Sequence, residues 1–251
     1  MENAKTIGYF LNLLEGYSKD GYLNKPYANS TDEDYNLPLA YMVDENDPGN
    51  SASGDQILDV INIITREIDS CNACSLCHTR TKAVPGEGVK FPLVMVIGEG
   101  PGADEDKSGR PFVGRAGQLL DKMLASIGLS REENCFIANI VKCRPPGNRD
   151  PGPEEIASCL QFIERQITAL NPKLILLTGR IAAQNLLKLS TSLKDLRGTF
   201  HNYVLEGCDP IPALVTYHPS ALLRDEALKR PAWEDLKMLK TKLDAMLETR
   251  G

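Results

Sequence analysis

Four short runs in this 251-residue chain carry side chains able to do chemistry. The first is Gly98-Glu99-Gly100-Pro101-Gly102 with the acidic Asp104-Glu105-Asp106 behind it. The second is Asn139 followed by Cys143-Arg144-Pro145-Pro146-Gly147-Asn148-Arg149. The third is Thr178-Gly179-Arg180. The fourth is Tyr217-His218-Pro219-Ser220, with Leu222-Leu223-Arg224 just beyond. A carboxylate can orient water, a carboxamide both donates and accepts, and an imidazole can donate to an anion as it forms. Arginine-rich loops neutralise phosphates. Taken singly, each run reads as a tight turn, a satisfied amide, a structural histidine or solvated charge.

Their placement is what joins them. Each follows an apolar run of strand character: Leu93–Ile97, Phe136–Val141, Leu174–Leu177 and Pro212–Thr216. Helical patterns alternate with these runs over Gly117–Ile127, Pro153–Leu170, Ile181–Leu187 and about Trp233–Leu247. Unbroken apolar strands alternating with helices predict a three-layer α/β/α body around a central four-stranded, mainly parallel sheet. Ligands of such sheets bind beyond the carboxyl ends of the strands, where the chain order reverses. All four runs therefore fall on one rim, and one shared site is a better account than four separate accidents.

Seven cysteines, at 71, 74, 77, 135, 143, 159 and 208, offer a second chemistry. Cys71-x-x-Cys74 can grip a metal centre, and Cys74-x-x-Cys77 is an equally good pair. Cys143, after the second strand, and Cys159, on the next helix, form a looser pair. Four thiolates suit tetrahedral zinc or an iron–sulfur cluster. Cys135 and Cys208 read as small apolar fillers.

Composition is that of a globular protein, 42% hydrophobic and 25% charged, which excludes a wholly disordered chain. No apolar run reaches the roughly 18 residues that span a bilayer. The start lacks a basic-then-apolar layout, so a soluble cytoplasmic protein without a membrane partner is expected. The net charge of −6 is unevenly spread. Residues 1–70 hold 4 Lys/Arg against 13 Asp/Glu, a net −9, whereas residues 71–251 hold 24 against 21, a net +3. The acidic balance of the whole therefore does not exclude nucleic acid as a partner of the body. The front piece reads as an amphipathic helix over residues 6–17, a polar linker from about Asp20 to Asp55, and a second helix from Gln56 to about Asp69. The expected division is an acidic extension, 1–70, dispensable for catalysis and open to an unknown protein partner, and a functional domain, 71–251.

From about Cys71 to the last helix, the chain resembles the family 4, iron–sulfur uracil-DNA glycosylases. The resemblance rests on Cys71-x-x-Cys74, on GEGPGADEDKSGRPFVGRAGQLLDKML from Gly98, on NIVKCRPPGNRDP from Asn139, and on the His218 and Arg224 run. It implies a [4Fe–4S] cluster on Cys71, Cys74, Cys143 and Cys159, structural in role and fixing the loop after the second strand. Cys77 stands where the family needs no cysteine. It also implies hydrolysis of the uracil–deoxyribose bond in single- or double-stranded DNA, by a monomer of a bacterial or archaeal nucleoid. Phe112 would stack on the extruded base, Asn139 would read its edge, and His218 would donate to uracil O2. Glu99 would orient the attacking water. Gly100, Pro101 and Gly102 would let the backbone approach, and Glu105 would face the C5 edge. Arg144, Arg149, Arg224 and Ser220 would meet phosphates, with Leu222 or Leu223 filling the gap left in the duplex. Ala221 departs from the aromatic residue common in that loop. The alternative is a non-catalytic iron–sulfur module that binds DNA or senses damage. The joint presence of Glu99, Asn139 and His218 argues against it.

Overall fold

The computed structural model describes residues 54–205 and 209–248. The helix expected over 6–17, the linker up to residue 53 and Cys208 lie outside the described residues.

Apolar residues of Val94–Gly98 (β2), Cys135–Asn139 (β3), Leu174–Thr178 (β4) and Ile211–Thr216 (β6) alternate between two buried faces. Met95, Ile97, Ile175, Leu177, Ala213 and Val215 enter one core. Val94, Val96, Leu174, Leu176 and Leu214 enter the other. The first core is closed by Gly54–Ser70 (α1), Pro153–Leu170 (α4) and Arg180–Leu187 (α5), through residues such as Ile64, Ile68, Phe162, Ile163 and Ala182. The second is closed by Arg115–Ala125 (α3), Pro219–Arg224 (α7) and Lys229–Glu248 (α8), through Leu120, Leu124, Leu222, Leu236 and Leu239. This is the expected three-layer arrangement. Two short helices, Ala103–Ser108 (α2) and Leu193–Leu196 (α6), lie in the connections.

Among the described residues the sheet has six strands, two more than the sequence pattern predicts. Glu87–Gly88 (β1) and Phe200–Tyr203 (β5) add antiparallel edges, giving the order β1-β3-β2-β4-β6-β5. Both are short and only partly apolar, so they leave no run of alternation to read. The four inner strands are parallel, with Gly98 opposite Asn139 and Thr178 opposite Thr216. Their carboxyl ends are thus level. The chain order reverses between β2 and β4, which puts a crevice beside Gly98 and Thr178.

Helix α1 belongs to this body. Ile64 and Ile68 are fully buried in the first core, and Glu67 forms an ion pair with Arg165 of α4. A division at residue 70 therefore cuts through packed structure. At the far side of the sheet, the buried Asp235 of α8 accepts from Thr216 Oγ1 (2.7 Å) and pairs with Arg197 (2.8 Å). Arg197 also lies over the Tyr217 ring at 5.2 Å. These contacts fix the end of β6 just before His218.

Candidate active site

At the level strand ends, Asn139 closes β3 on the same sheet face as Gly98 of β2. A Cβ at Gly98 would lie 2.5 Å from Asn139 Oδ1 and 2.5 Å from Phe112 Cζ. Only glycine lets the carboxamide and the ring crowd together there. Phe112 is buried and has a φ of 51°, a left-handed conformation rare for a bulky residue. Its ring lies 5.6 Å from that of His218, centroid to centroid, at an interplanar angle of 35°. Asn139, Phe112 and His218, from three parts of the chain, therefore meet.

Asn139 is 1% exposed, and its Oδ1 has no hydrogen-bond partner. A buried acceptor left unsatisfied costs about 1–3 kcal/mol, which a fold tolerates where a ligand will supply the donor.

His218 stands at the N-cap of α7. Its Nδ1 faces the Ser220 N–H at 3.2 Å and the Ser220 hydroxyl at 2.8 Å. A backbone N–H can only donate, so Nδ1 is the acceptor and the ring proton sits on Nε2. Burial, with the Arg224 cation second and the Glu105 carboxylate opposing, lowers the His218 pKa to about 4. The imidazole is thus a neutral donor at physiological pH. Ser220 supports the ring, a use of its hydroxyl beyond the phosphate contact expected from sequence.

Glu99 follows Gly98 directly and is half-buried. Burial first, then the Asp150 carboxylate, raises its pKa above the ordinary carboxylate range, while Arg180 opposes. Arg180 and Asp150 form an exposed ion pair at 2.6 Å. Sequence reasoning placed Arg180 on the rim without a role and missed Asp150, whose only signal was its position at the end of the basic loop. Pro101 is buried beside Glu99, with Gly100 and Gly102 half-buried around it. The Glu105 carboxylate is taken up by backbone N–H groups: Oε2 accepts from Gly102 (3.0 Å), and Oε1 from Val113 (2.8 Å) and Gly114 (2.9 Å).

The basic loop is more braced than its composition suggests. Arg149 grips Glu155 with two bonds of 2.7 and 2.8 Å, and Glu155 also accepts from Ser75 Oγ and the Gly152 N–H. Arg149, through its side-chain hydrogen bonds, is the main cause holding the Glu155 carboxyl well below its usual range. Arg144 donates to Asn148 at 2.8 Å. Arg224 is exposed on α7, as is Leu223 at 42%. Leu222 corrects an expectation: at 2% exposure it packs in the second core and is not available to enter DNA.

Next to this loop, Cys71, Cys74, Cys77, Cys143 and Cys159 line one cavity with Arg80 and Lys142. Arg80 Nη1 donates to Cys143 Sγ at 3.0 Å, and the Lys142 N–H to Cys159 Sγ at 3.3 Å. Cys71 lies within electrostatic reach of Cys74, Cys143 and Cys159, whereas Cys77 neighbours Cys74 and Arg80. Burial pushes the Cys159 thiol up to about 12. Among the described residues, no three Cys, His, Asp or Glu side chains group closely enough to hold one metal ion. Five thiols line the cavity, and two of them accept from N–H donors. Cys135 is a buried filler, as expected.

The model of the Uracil DNA glycosylase superfamily matches residues 85–237. The chain is 43% identical over 180 residues to a type-4 uracil-DNA glycosylase of Archaeoglobus fulgidus, covering 70% of this chain and 89% of that one. It is 41% identical over 186 residues to a type-4 uracil-DNA glycosylase of Thermotoga maritima, covering 73% and 94%. A type-5 uracil-DNA glycosylase of Pyrobaculum aerophilum is 31% identical over 155 residues, covering 56% and 67%. The chain belongs to the uracil-DNA glycosylase superfamily and groups with its type-4 members.

Proposed function

We propose that this protein removes uracil from DNA by hydrolysing its N-glycosidic bond, leaving an abasic site. The observation that carries the reading is the orphaned, buried Asn139 Oδ1 beside Phe112 and His218. That acceptor takes the N3–H of uracil while the amide NH2 donates to O4. Cytosine offers the reverse pattern at both positions, so it leaves buried groups unpaired at about 1–3 kcal/mol each. The base reaches the pocket by leaving the stack, at a cost of a few kcal/mol that is least in a mismatch or a single strand. Phe112 then covers its face.

Bond cleavage builds negative charge on uracil O2 and positive charge on the sugar. The neutral His218, with its proton on Nε2, donates to O2 as the charge develops. Glu99 orients the water and complements the cationic sugar. Burial raises its pKa, and the Arg180 cation favours the ionised form. Arg144, Arg149 and Arg224 neutralise phosphates, and Leu223 fills the space vacated by the nucleotide.

The cysteine cavity fits a [4Fe–4S] cluster held by Cys71, Cys74, Cys143 and Cys159. When bound, such a cluster supplies a rigid cross-link here. Around it, Arg80 and the Lys142 N–H orient the sulfurs, and Arg149–Glu155–Ser75 braces the loop that faces DNA. No helix among the described residues is long and apolar enough to cross a membrane. The proposed site of action is the DNA of a bacterial or archaeal nucleoid, in the cytoplasm.

The test is release of free uracil from a uracil-containing oligonucleotide. Wild-type protein is expected to release it, and a Glu99→Ala, His218→Ala double variant is not. DNA binding without release by the wild type would replace the enzyme with a binding module.

A further inference from the structure

Arg131 plays no part in the reading so far, yet it is the best-buried arginine near the pocket, its side chain 5% exposed. It lies in the turn between α3 and β3 and reaches back to the segment before α3. Nη1 donates to the Pro111 carbonyl at 2.9 Å and Nη2 to the Phe112 carbonyl at 3.0 Å. On its other side, Asp121 of α3 accepts from Nε and Nη2 at 3.2 and 2.7 Å. Glu87 of β1, itself held by Arg110, stands 3.9 Å away.

We propose that Arg131 is a positioning residue for the base-stacking platform, the fork that keeps Phe112 in its left-handed conformation over the pocket. The inference rests on the uracil-excision reading above. Two successive carbonyls converge on one guanidinium because the backbone turns at Phe112, where φ is 51°. A bulky residue relaxes out of that region unless its surroundings hold it. Three contacts do the holding. Arg131 takes the carbonyl side. Glu105 takes the next two N–H groups, of Val113 and Gly114. Gly117 admits the turn from beneath, since a Cβ there would lie 1.9 Å from Phe112 O. Losing the fork lets the peptide rotate, which swings the ring away from His218 and Asn139. The planar head of arginine serves the two carbonyls from two separate nitrogens, whereas the donors of lysine all radiate from one nitrogen and cannot reproduce the fork.

The experiment is a double-mutant cycle on single-turnover uracil release. Arg131→Gln and Arg131→Lys are each made in the wild-type chain and in a Phe112→Leu chain, with melting temperature and affinity for uracil-free DNA measured alongside. In the wild-type background the cleavage rate is expected to fall about ten- to a hundredfold, the size expected for releasing one strained backbone residue. DNA affinity stays within about twofold, because the phosphate contacts lie elsewhere. In the Phe112→Leu background the same changes cost little further. Should the Gln protein fail to fold, the Lys protein, which keeps a cation between Glu87 and Asp121, carries the comparison. An equal loss in both backgrounds, or no loss in a folded variant, overturns the proposal. So does a Phe112→Leu protein as fast as the wild type. Absence of uracil release by the wild type is a separate outcome and refutes the parent reading instead.

Discussion

Gly98 gives the sharpest test of the pocket. It lies in the central strand β2, in extended backbone that alanine readily adopts, so Gly98→Ala does not strain the chain itself. The added methyl would meet Asn139 Oδ1 at 2.5 Å and Phe112 Cζ and Cε2 at 2.5 and 2.9 Å. Ordinary contact begins near 3.4 Å, so the carboxamide and ring must retreat by about 1 Å. A misplacement of that size costs roughly a hundredfold in rate where reacting groups are aligned. The overpacking itself costs about 1–3 kcal/mol of stability, which a domain of this size survives. Single-turnover uracil release, a thermal melt and affinity for uracil-free DNA separate the effects. The expected result is a folded protein that binds DNA normally and cleaves about a hundredfold more slowly. Gly98→Ala cleaving at the wild-type rate would refute the convergence of Asn139 and Phe112 on the base.

The rate should also carry the signs of the two titrating groups. Burial raises Glu99 and lowers His218 to about 4, so kcat/KM should rise with pH on a single acid limb above the ordinary carboxylate range. Glu99→Gln should abolish that limb, and a limb near pH 6.5 lost in His218→Ala would contradict the neutral imidazole. The two leucines of α7 should part company. Leu222→Ala is expected to cost about 2–5 kcal/mol in a denaturant melt, whereas Leu223→Ala leaves the melt unchanged and slows excision from duplex more than from single-stranded DNA; the reverse pattern would restore Leu222 to the DNA interface. Alanine at Cys71, Cys74, Cys143 or Cys159 should each remove bound iron and visible absorbance, while Cys77→Ala keeps both; loss of iron on changing Cys77 would place it among the ligands.

The inner strands and the rim they end on are legible in the sequence, and the edges are not, for a physical reason. The inner strands are buried on both faces, so their sequences are unbroken apolar runs that nothing else mimics. The edge strands β1 and β5 are two and four residues long with polar members, and they form only because a neighbour is there to pair with. The proposed site residues Glu99, Asn139 and His218 lie at or just beyond strand ends and are marked by type and position. Arg131 and Asp150 act through distance in space, and nothing in their local sequence distinguishes them from solvated loop charges. The assignment of Leu222 failed for a related reason. Two adjacent leucines on a six-residue helix point in different directions, and only the packing of α7 against α3 in the second core says which one is inside.

The cysteine cavity and the pocket are one mechanical object, which explains why a cluster with no chemical step to perform would sit here. Three residues separate Asn139 from Cys143, and every one of them is buried. The Ile140 N–H bonds to Gly98 O and the Val141 N–H to Glu99 O, so the segment extends the β2–β3 pairing past the sheet edge and pins the Glu99 backbone. At its far end, Lys142 O accepts from the Val84 N–H, its own N–H bonds to Cys159 Sγ, and its Nζ is buried against Gln166 at 2.7 Å. A displacement of Cys143 or Cys159 must therefore travel along a chain with no slack, into Glu99 and Asn139 in one direction and into the Arg144–Arg149 loop in the other. The proposed cross-link between the 71–74 segment, the 143 loop and α4 would add rigidity there beyond that of the packed core. The base pocket and the DNA-facing loop can then be held in one fixed relation.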